Sequence, residues 1–382
     1  MRPLDGVKVV EAASYVTGPF AALALADLGA SVVKVEPPRG DPMRRFGLRH
    51  QGDGVGFAFA AINRNKTSVT LDLKTEAGLD LLHELLAAAD VFITNWRPAV
   101  AARLGLTAPA VRQRHPRLVW IRLSGYGQDG PLADFPAFDG IVQARSGLVA
   151  QNGEPPRLVP GYLVDKVTAM MATQSVLAGL VHRDRSGDGE GAVVDVSMLD
   201  SMAYFLGPDL LGDHVVVGAP EPGVARHIAA ARPARTQDGW MVVSPVSGAQ
   251  MKGALVAVGH PEWGEQLRAA ATATEMIERF YELIEPVLLT RTTSEWEHAF
   301  AAADVPASAV LSYGDHLADP QVASNGTYRV VDDPVLGRVR TLRYPALFDG
   351  APTDTDDLPI PHGGDVPLPV DGAARVRRSR RA

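Results

Sequence analysis

The sequence predicts an α/β protein whose larger part is a doubly wound parallel sheet, followed by a smaller α+β region. Two observations carry the first part. Short β-branched apolar runs alternate with amphipathic helical stretches, and Gly or Pro punctuates the joints between them. Parallel strands joined by crossover helices produce that alternation. A third observation, a change of texture near residue 205, sets off the second part.

Taken in order, residues 8–13 form the first apolar run. GPFAALALADLGA (18–30) then opens on Gly-Pro and continues with apolar residues at helical spacing. SVVKVE (31–36) is the next strand. SVTLDL (68–73) precedes TEAGLDLLHELLAAAD (75–90), where Leu79, Leu82, Leu85 and Leu86 share a helical face. VFITN (91–95), LVWIRL (118–123) and AVVDVSM (192–198) are further strands. Before the last of these, Val167, Met170, Met171, Gln174, Leu177 and Leu180 recur as the stripe of a helix packed on the sheet. Beyond 205, GPDLLGDHVVVGAPEPGVARHIAAARPARTQDGWMVVSP reads as a linker and then a hairpin turning at Asp238-Gly239. Helices are expected at 248–258, 274–289 and 293–303, and a strand at 305–310. Short strands around TYRVV and RVRTLRY follow, and beyond about residue 350 an extended arm.

Composition narrows the function. The 382 residues exceed what one simple core needs, and 46% hydrophobic with 21% charged residues is ordinary for a soluble globular protein. A net charge of −7 argues against a nucleic-acid partner, which calls for a basic face. Only RVRRSRR (375–381) is strongly basic, and it is expected as a solvated tail. With no cysteine, disulfides, thiolate metal sites and thiol nucleophiles are all excluded. No apolar run approaches the roughly 18 residues that span a bilayer, and the amino terminus lacks the apolar core of a signal peptide. A cytoplasmic protein without a membrane partner is therefore expected. Six Lys against 31 Arg, with abundant Ala, point to a GC-rich bacterial genome.

Several chemistries lack their motif. There is no GxSxG elbow and no HExxH, and the ten His are scattered without metal-ligand spacing, so no metal site is expected. The first strand is followed by ASYVTGPF and not by GxGxxG, so the dinucleotide fingerprint is missing. GDGEG (187–191) lacks the Lys-Ser/Thr of a phosphate loop and reads as a connecting turn. TDTDDLP (353–359) lacks the Gly and Glu of a calcium loop and reads as an exposed acidic loop. What remains is VPGYLVDKVTAMMATQSVLAGLVHR (159–183). Asp165 there is the last acid before Asp184. By pattern alone it is a helix N-cap, whose oxygens accept unpaired N–H groups.

Six stretches in order resemble the class III CoA-transferase family, the group of formyl-CoA transferase and α-methylacyl-CoA racemase. They are LDGVKVVEAASYVTGPFAALALADLGASVVKVEPPRGDPMRR, NRNKTSVTLDLKTEAG (63–78), DVFITNWRPAVAARLGL (90–106), LVWIRLSGYGQDGPLADFPAFDGIVQARSG (118–147), GYLVDKVTAMMATQSVLAGLVHR and GDGEGAVVDVSMLDSM (187–202). TQDGW (236–240) and VPASAVLSYGDHLADPQV (305–322) extend the similarity to about residue 345. The resemblance implies that Asp165 is a nucleophile that moves CoA from an acyl-CoA thioester to a small carboxylic acid through a covalent aspartyl intermediate. Coenzyme A or acyl-CoA is then the substrate, with no tightly bound cofactor. The CoA contacts that the resemblance implies are Val16, Thr17, Arg39, Arg44, Leu71, Lys74, Asn95, Trp96, Arg97 and Arg103. Relatives often place a basic residue directly after the Glu matching Glu36; here Pro37 and Pro38 follow, which moves that contact to Arg39.

The fourth stretch separates the two main activities of the family. Its racemases carry His-Asp there and its transferases Tyr-Asp or a close relative, whereas this chain carries Phe138-Asp139. Phenylalanine moves no proton, so a transferase with these two residues at the substrate is expected over a 2-methylacyl-CoA racemase. A CoA-binding subunit of a heteromeric transferase is the remaining alternative, and the retained Asp165 speaks against it. The resemblance further implies a Rossmann-like large domain (1–205 and 323–382, the latter with the arm and basic tail), a linker with a small domain (206–322), and an interlocked homodimer.

Overall fold

The computed structural model describes residues 1–47, 55–218, 231–333 and 336–355. The basic tail, the arm beyond 355, the last four residues of the acidic cluster and most of GVARHIAAARPAR lie outside the described residues. The chain divides into two compact units, Met1–Leu210 together with the chain from Gly326, and Leu211–Asn325.

The first unit runs β1 (Lys8–Ala12), α1 (Thr17–Asp27), β2 (Ser31–Glu36), α2 (Phe57–Asn63), β3 (Lys66–Thr70), α3 (Glu76–Ala87) and β4 (Val91–Thr94). It continues through α4 (Pro98–Arg103), α5 (Ala108–Arg114), β5 (Val119–Ser124), α6 (Asp139–Arg145), α7 (Leu148–Gln151), α8 (Leu163–Arg185), β6 (Val193–Ser197) and α9 (Met198–Leu210). The six strands form one parallel sheet in the order β3-β2-β1-β4-β5-β6. Phe92, Ile93, Val119, Trp120 and Ile121 are wholly buried, as strands covered on both faces require. On one face Ala21, Ala22 and Leu25 of α1 and Ala169, Ala172 and Val176 of α8 pack on Val9, Ile93, Val119 and Ile121. On the other, Leu82 and Leu86 of α3 pack with Val10, Phe92 and Trp120. Helix α3 starts at Thr75, whose hydroxyl accepts from the Gly78 N–H.

Small residues set how closely α8 approaches the sheet. A Cβ at Gly179 would lie 2.6 Å from Val119 Cγ1, so only glycine fits there. The buried stripe of α8 differs from the expected one. Val164, Thr168, Ala172, Val176 and Gly179 face inward, while Met170 and Gln174 are exposed. Helix packing selected small residues here, and the large apolar ones that suggested the stripe lie partly outside it. The expected change of texture at 205 is likewise displaced, because α9 carries through Pro208 to Leu210.

In the second unit, β7 (Pro233–Arg235), β8 (Trp240–Val243) and β9 (Ala307–Ala309) pair antiparallel, with the Asp238-Gly239 turn between the first two. Their core with α10 (Gly248–Ala257), α11 (Gly264–Arg268), α12 (Ala273–Leu288) and α13 (Thr293–Ala302) includes Met241, Leu255, Phe280, Ile284, Trp296 and Phe300. Helices α14 (Tyr313–Ala318) and α15 (Pro320–Ser324) close this unit. The returning chain forms the hairpin β10 (Tyr328–Asp333) and β11 (Gly337–Leu342), and Leu336 joins Val16, Met43 and Phe59 in a small core of the first unit.

Candidate active site

The strand order reverses between β1 and β4, which are neighbours although β2 and β3 follow β1 in sequence. Chains leaving these strands diverge to opposite faces, and open α/β sheets bind ligands in the crevice this creates at the carboxyl ends. The crevice is bridged by one side chain. Asn95, directly after β4, accepts from the Ser14 N–H at 3.1 Å and donates to the Ser14 carbonyl at 2.7 Å.

The loop 13–17 that Asn95 holds is tightly built. Tyr15 has φ +67°, a left-handed conformation uncommon for a residue other than glycine. Gly18, at the start of α1, could carry no side chain, since a Cβ would fall 2.3 Å from Ala13 Cβ. From beneath, buried charges grip the loop. Lys34 Nζ contacts Glu11 Oε1 at 2.7 Å and Asp41 Oδ2 at 2.9 Å, and donates to the Ala13 carbonyl at 2.9 Å. Lys66 Nζ reaches Glu11 Oε2 at 2.8 Å, the Pro19 carbonyl at 2.7 Å and Asn63 Oδ1 at 2.9 Å. Asp41 Oδ1 accepts from the Tyr15 N–H at 3.3 Å. Burial opposes ionisation of Glu11, but Lys34 and Lys66 overcome it and hold the carboxyl below its usual range. Burial likewise opposes the charge of Lys34, and Glu11 and Asp41 prevail and raise its pKa.

Above the loop stands Asp165. It lies in the first turn of α8, inside the helix, so the expected N-cap is not its role. Tyr162 holds the capping position and offers no side-chain hydrogen bond. One Asp165 oxygen accepts from the Thr17 hydroxyl, and its own N–H donates to Asp139 Oδ2 at 3.1 Å. Burial raises its pKa to about 6 against the Thr17 hydrogen bond, with Asp139 adding to the rise and Lys166 opposing it. No ion-pair partner meets Asp165 among the described residues. A carboxylate that titrates near neutrality without a counter-ion is chemically available.

The site residues named from the sequence fall into two groups. Thr17, Asp165, Asp139 and Phe138 come together. Phe138 is 58% exposed and sets its ring edge-on to Tyr15 with centroids 5.4 Å apart, forming an apolar wall. Asp139 is buried with one oxygen on Gln143 Nε2 at 2.6 Å and the other on the Asp165 N–H. The rest follow the carboxyl edge of the sheet. Arg39, Lys74, Arg97 and Arg103 are exposed beyond β2, β3 and β4, with one Arg97 N–H on the Asp134 carbonyl at 3.2 Å. Trp96 is half-buried against Phe92, and Val16 and Leu71 are buried in the core. Arg44 is committed inward. Its guanidinium grips Glu36 at 2.7 and 2.6 Å and lies 4.1 Å over the Phe59 ring. Burial opposes the Glu36 charge, yet Arg44 and Ser68 bring its pKa down to about 2.

Sequence reasoning missed Tyr15, Gln143 and the Glu11, Lys34, Lys66 and Asp41 cluster. The cluster had a signal, namely a charged residue inside each of two apolar strands, Glu11 on β1 and Lys34 on β2, with Lys66 opening β3. Gln143 had none. Among the described residues no group of three or more metal-binding side chains occurs, and no helix is long and apolar enough to cross a membrane.

A doubly wound sheet with a half-buried carboxylate near its switch point and exposed cations along its carboxyl edge is an arrangement suited to an anionic ligand. The profile of CoA-transferase family III matches residues 4–366, and the chain belongs to that family. It is similar to the succinyl-CoA–D-citramalate CoA-transferase of Chloroflexus aurantiacus, at 30% identity over 93% of this chain and 90% of the relative. The formyl-CoA:oxalate CoA-transferase of Streptomyces avermitilis is also 30% identical, over 94% of this chain and 92% of its own. Among solved structures, Rv3272 of Mycobacterium tuberculosis matches with a TM-score of 0.81 and 30% identity, over 96% of this chain and 98% of that one. A CaiB/BaiF family protein of Brucella suis matches with a TM-score of 0.79 and 28% identity, over 94% and 95%.

Proposed function

We propose that the protein moves CoA from an acyl-CoA to a small carboxylic acid, with Asp165 as the covalent nucleophile. The observation that supports this best is the half-buried Asp165 carboxylate, without an ion-pair partner among the described residues and held by the Thr17 hydroxyl at the sheet's switch point. Its oxygen attacks the thioester carbonyl, the C–S bond breaks, and CoA thiolate leaves a mixed anhydride on Asp165. The thiolate then attacks the aspartyl carbonyl, releasing the donor acid and leaving an aspartyl-CoA thioester. The acceptor carboxylate attacks that thioester, thiolate leaves again, and its return to the acceptor carbonyl frees Asp165 and the new acyl-CoA. Covalent catalysis thus divides one exchange between two acids into steps that each have a good leaving group. No net proton is transferred.

The exposed cations Arg39, Lys74, Arg97 and Arg103 suit the phosphates of CoA, so binding should weaken with added salt. The Phe138 and Tyr15 rings would wall the acyl or acceptor group. Acceptors such as the citramalate and oxalate of the named relatives are small carboxylic acids, and that class is proposed here. Two copies are proposed to assemble as an interlocked homodimer, which a monomer in sedimentation at micromolar protein would refute. Because Phe138 carries no proton, 2-methylacyl-CoA should exchange no α-proton with deuterated water. The direct test incubates the enzyme with an acyl-CoA donor, traps with hydroxylamine or borohydride, and maps the adduct by peptide mass. Modification at Asp165 alone is expected, and an adduct on another residue would overturn the mechanism.

A further inference from the structure

We propose that Asp139 and Gln143 are positioning residues for Asp165, together clamping the chain that enters α8 and seating a second acidic side chain beside the nucleophile. The proposal rests on the reading of Asp165 as that nucleophile. Its basis is a set of four hydrogen bonds. The Gln143 amide reads both main-chain atoms of Val159, accepting from its N–H at 2.9 Å and donating to its carbonyl at 3.0 Å. The same Nε2 donates to Asp139 Oδ1 at 2.6 Å, and Asp139 Oδ2 accepts from the Asp165 N–H at 3.1 Å. One end of the segment 159–165 is thus held by Gln143 and the other by Asp139. Helices α6 and α8 are packed together here through Val142, Val164 and Val167, which fixes the two grips relative to each other.

The residue types carry the inference further than the distances do. Position 139 must accept on both oxygens, because an N–H points at each. An amide there would turn one N–H against another, so Asn is not a conservative replacement. If the need were only to finish the helix end, Ser, Thr or Asn at Tyr162 would serve, and Tyr162 offers nothing. The chain instead buries a second carboxylate beside the first. Three groups face Asp165 with charge or a hydrogen bond: Asp139 from α6, Thr17 from α1 and Lys166 on α8 itself. Asp139 is the one that strengthens the proton affinity of Asp165, and with it the basicity of the attacking oxygen.

The test uses two variants in the full-length protein, with folding checked by thermal melting. In Gln143→Met the clamp on Val159 is lost while the acid at 139 stays. We expect kcat to fall about 10- to 100-fold, with KM for acyl-CoA within about twofold of the parent. Unchanged kcat in a folded Gln143→Met overturns the clamp. In Asp139→Asn the Asp165 carboxyl, followed by carbon-13 NMR and assigned against Asp165→Asn, should titrate below the about 6 of the parent. An unmoved midpoint overturns the coupling. If Asp139→Asn fails to fold, Gln143→Met alone decides the proposal through kcat. An acyl adduct trapped away from Asp165 would refute the nucleophile and not the coupling, since the NMR midpoint is read without turnover.

Discussion

The two sides of the first loop handle buried charge in opposite ways. Below it, Glu11, Lys34, Lys66 and Asp41 form a closed set of two acids and two bases, each within 3 Å of an opposite charge. Above it, Asp165 and Asp139 face each other with a hydroxyl, an amide and a main-chain N–H, and among the described residues no cation forms an ion pair with either, Lys166 acting on Asp165 only at longer range. The paired charges spend their hydrogen bonds on Ala13, Pro19 and Tyr15 and so fix the loop, although burial still brings the Lys66 pKa down to about 8 against the pull of Glu11. Uncompensated charge is costly to bury, and that cost appears as the raised pKa of Asp165. The lower set makes a platform, and the upper pair is where chemistry can occur.

The sharpest way to separate the two sides is Asp165→Asn. Transfer should fall about 10⁴-fold or more, measured by mass analysis of acyl-CoA products, while CoA binding by calorimetry persists. Stability should move the other way. The folded pKa of Asp165 lies above its ordinary 3.8, at about 6, so the folded state holds the extra proton between these values and loses that advantage as pH rises through 6. Above pH 6 the variant should therefore gain stability on the order of 1–3 kcal/mol in denaturant unfolding. A destabilised Asp165→Asn at pH 8 would break the comparison.

Removing a member of the lower set should do the reverse. Lys66→Met leaves Glu11 and Asp41 with one base between them, and a buried pair broken on one side costs about 3–5 kcal/mol. Chemical denaturation reads it directly. A loss under about 1 kcal/mol would mean that water reaches the cluster.

Smaller effects sharpen the upper side. Because Asp165, as the proposed nucleophile, must be ionised, kcat/KM should fall below pH 6, approaching about tenfold per pH unit. Asp139→Asn should carry that limb to lower pH. Thr17→Val removes the hydroxyl that favours the ionised form and should carry it to higher pH, with a stability change of about 1 kcal/mol. A limb that ignores both substitutions would belong to another group.

Much of the fold was legible because each of its parts is local. Val9 and Val10, Val32 and Val33, or Phe92 and Ile93 announce buried strands by type alone, and Thr75 and Leu82 mark a helix. The expected doubly wound arrangement is the observed six-stranded parallel sheet. Where sequence reading went astray, packing overrode side-chain size, as on α8, where Gly179 and Ala172 are inside and Met170 is out. Asp165 stood out as a lone acid before an apolar helix, yet its capping role was wrong. A cap is defined by where the backbone turns, and that turn falls at Tyr162.

By itself the sequence determined the strand and helix alternation, the family, and the lone acid at the start of the long helix, because hydrophobic period and ordered motifs are properties of neighbouring residues. Tertiary structure alone decided which charges are neutralised. Glu11 meets Lys66 and Thr17 meets Asp165 across 55 and 148 positions of chain. The pKa of a carboxylate is set by its desolvation and by whatever charge lies within a few ångströms, and neither is written in its neighbours along the chain.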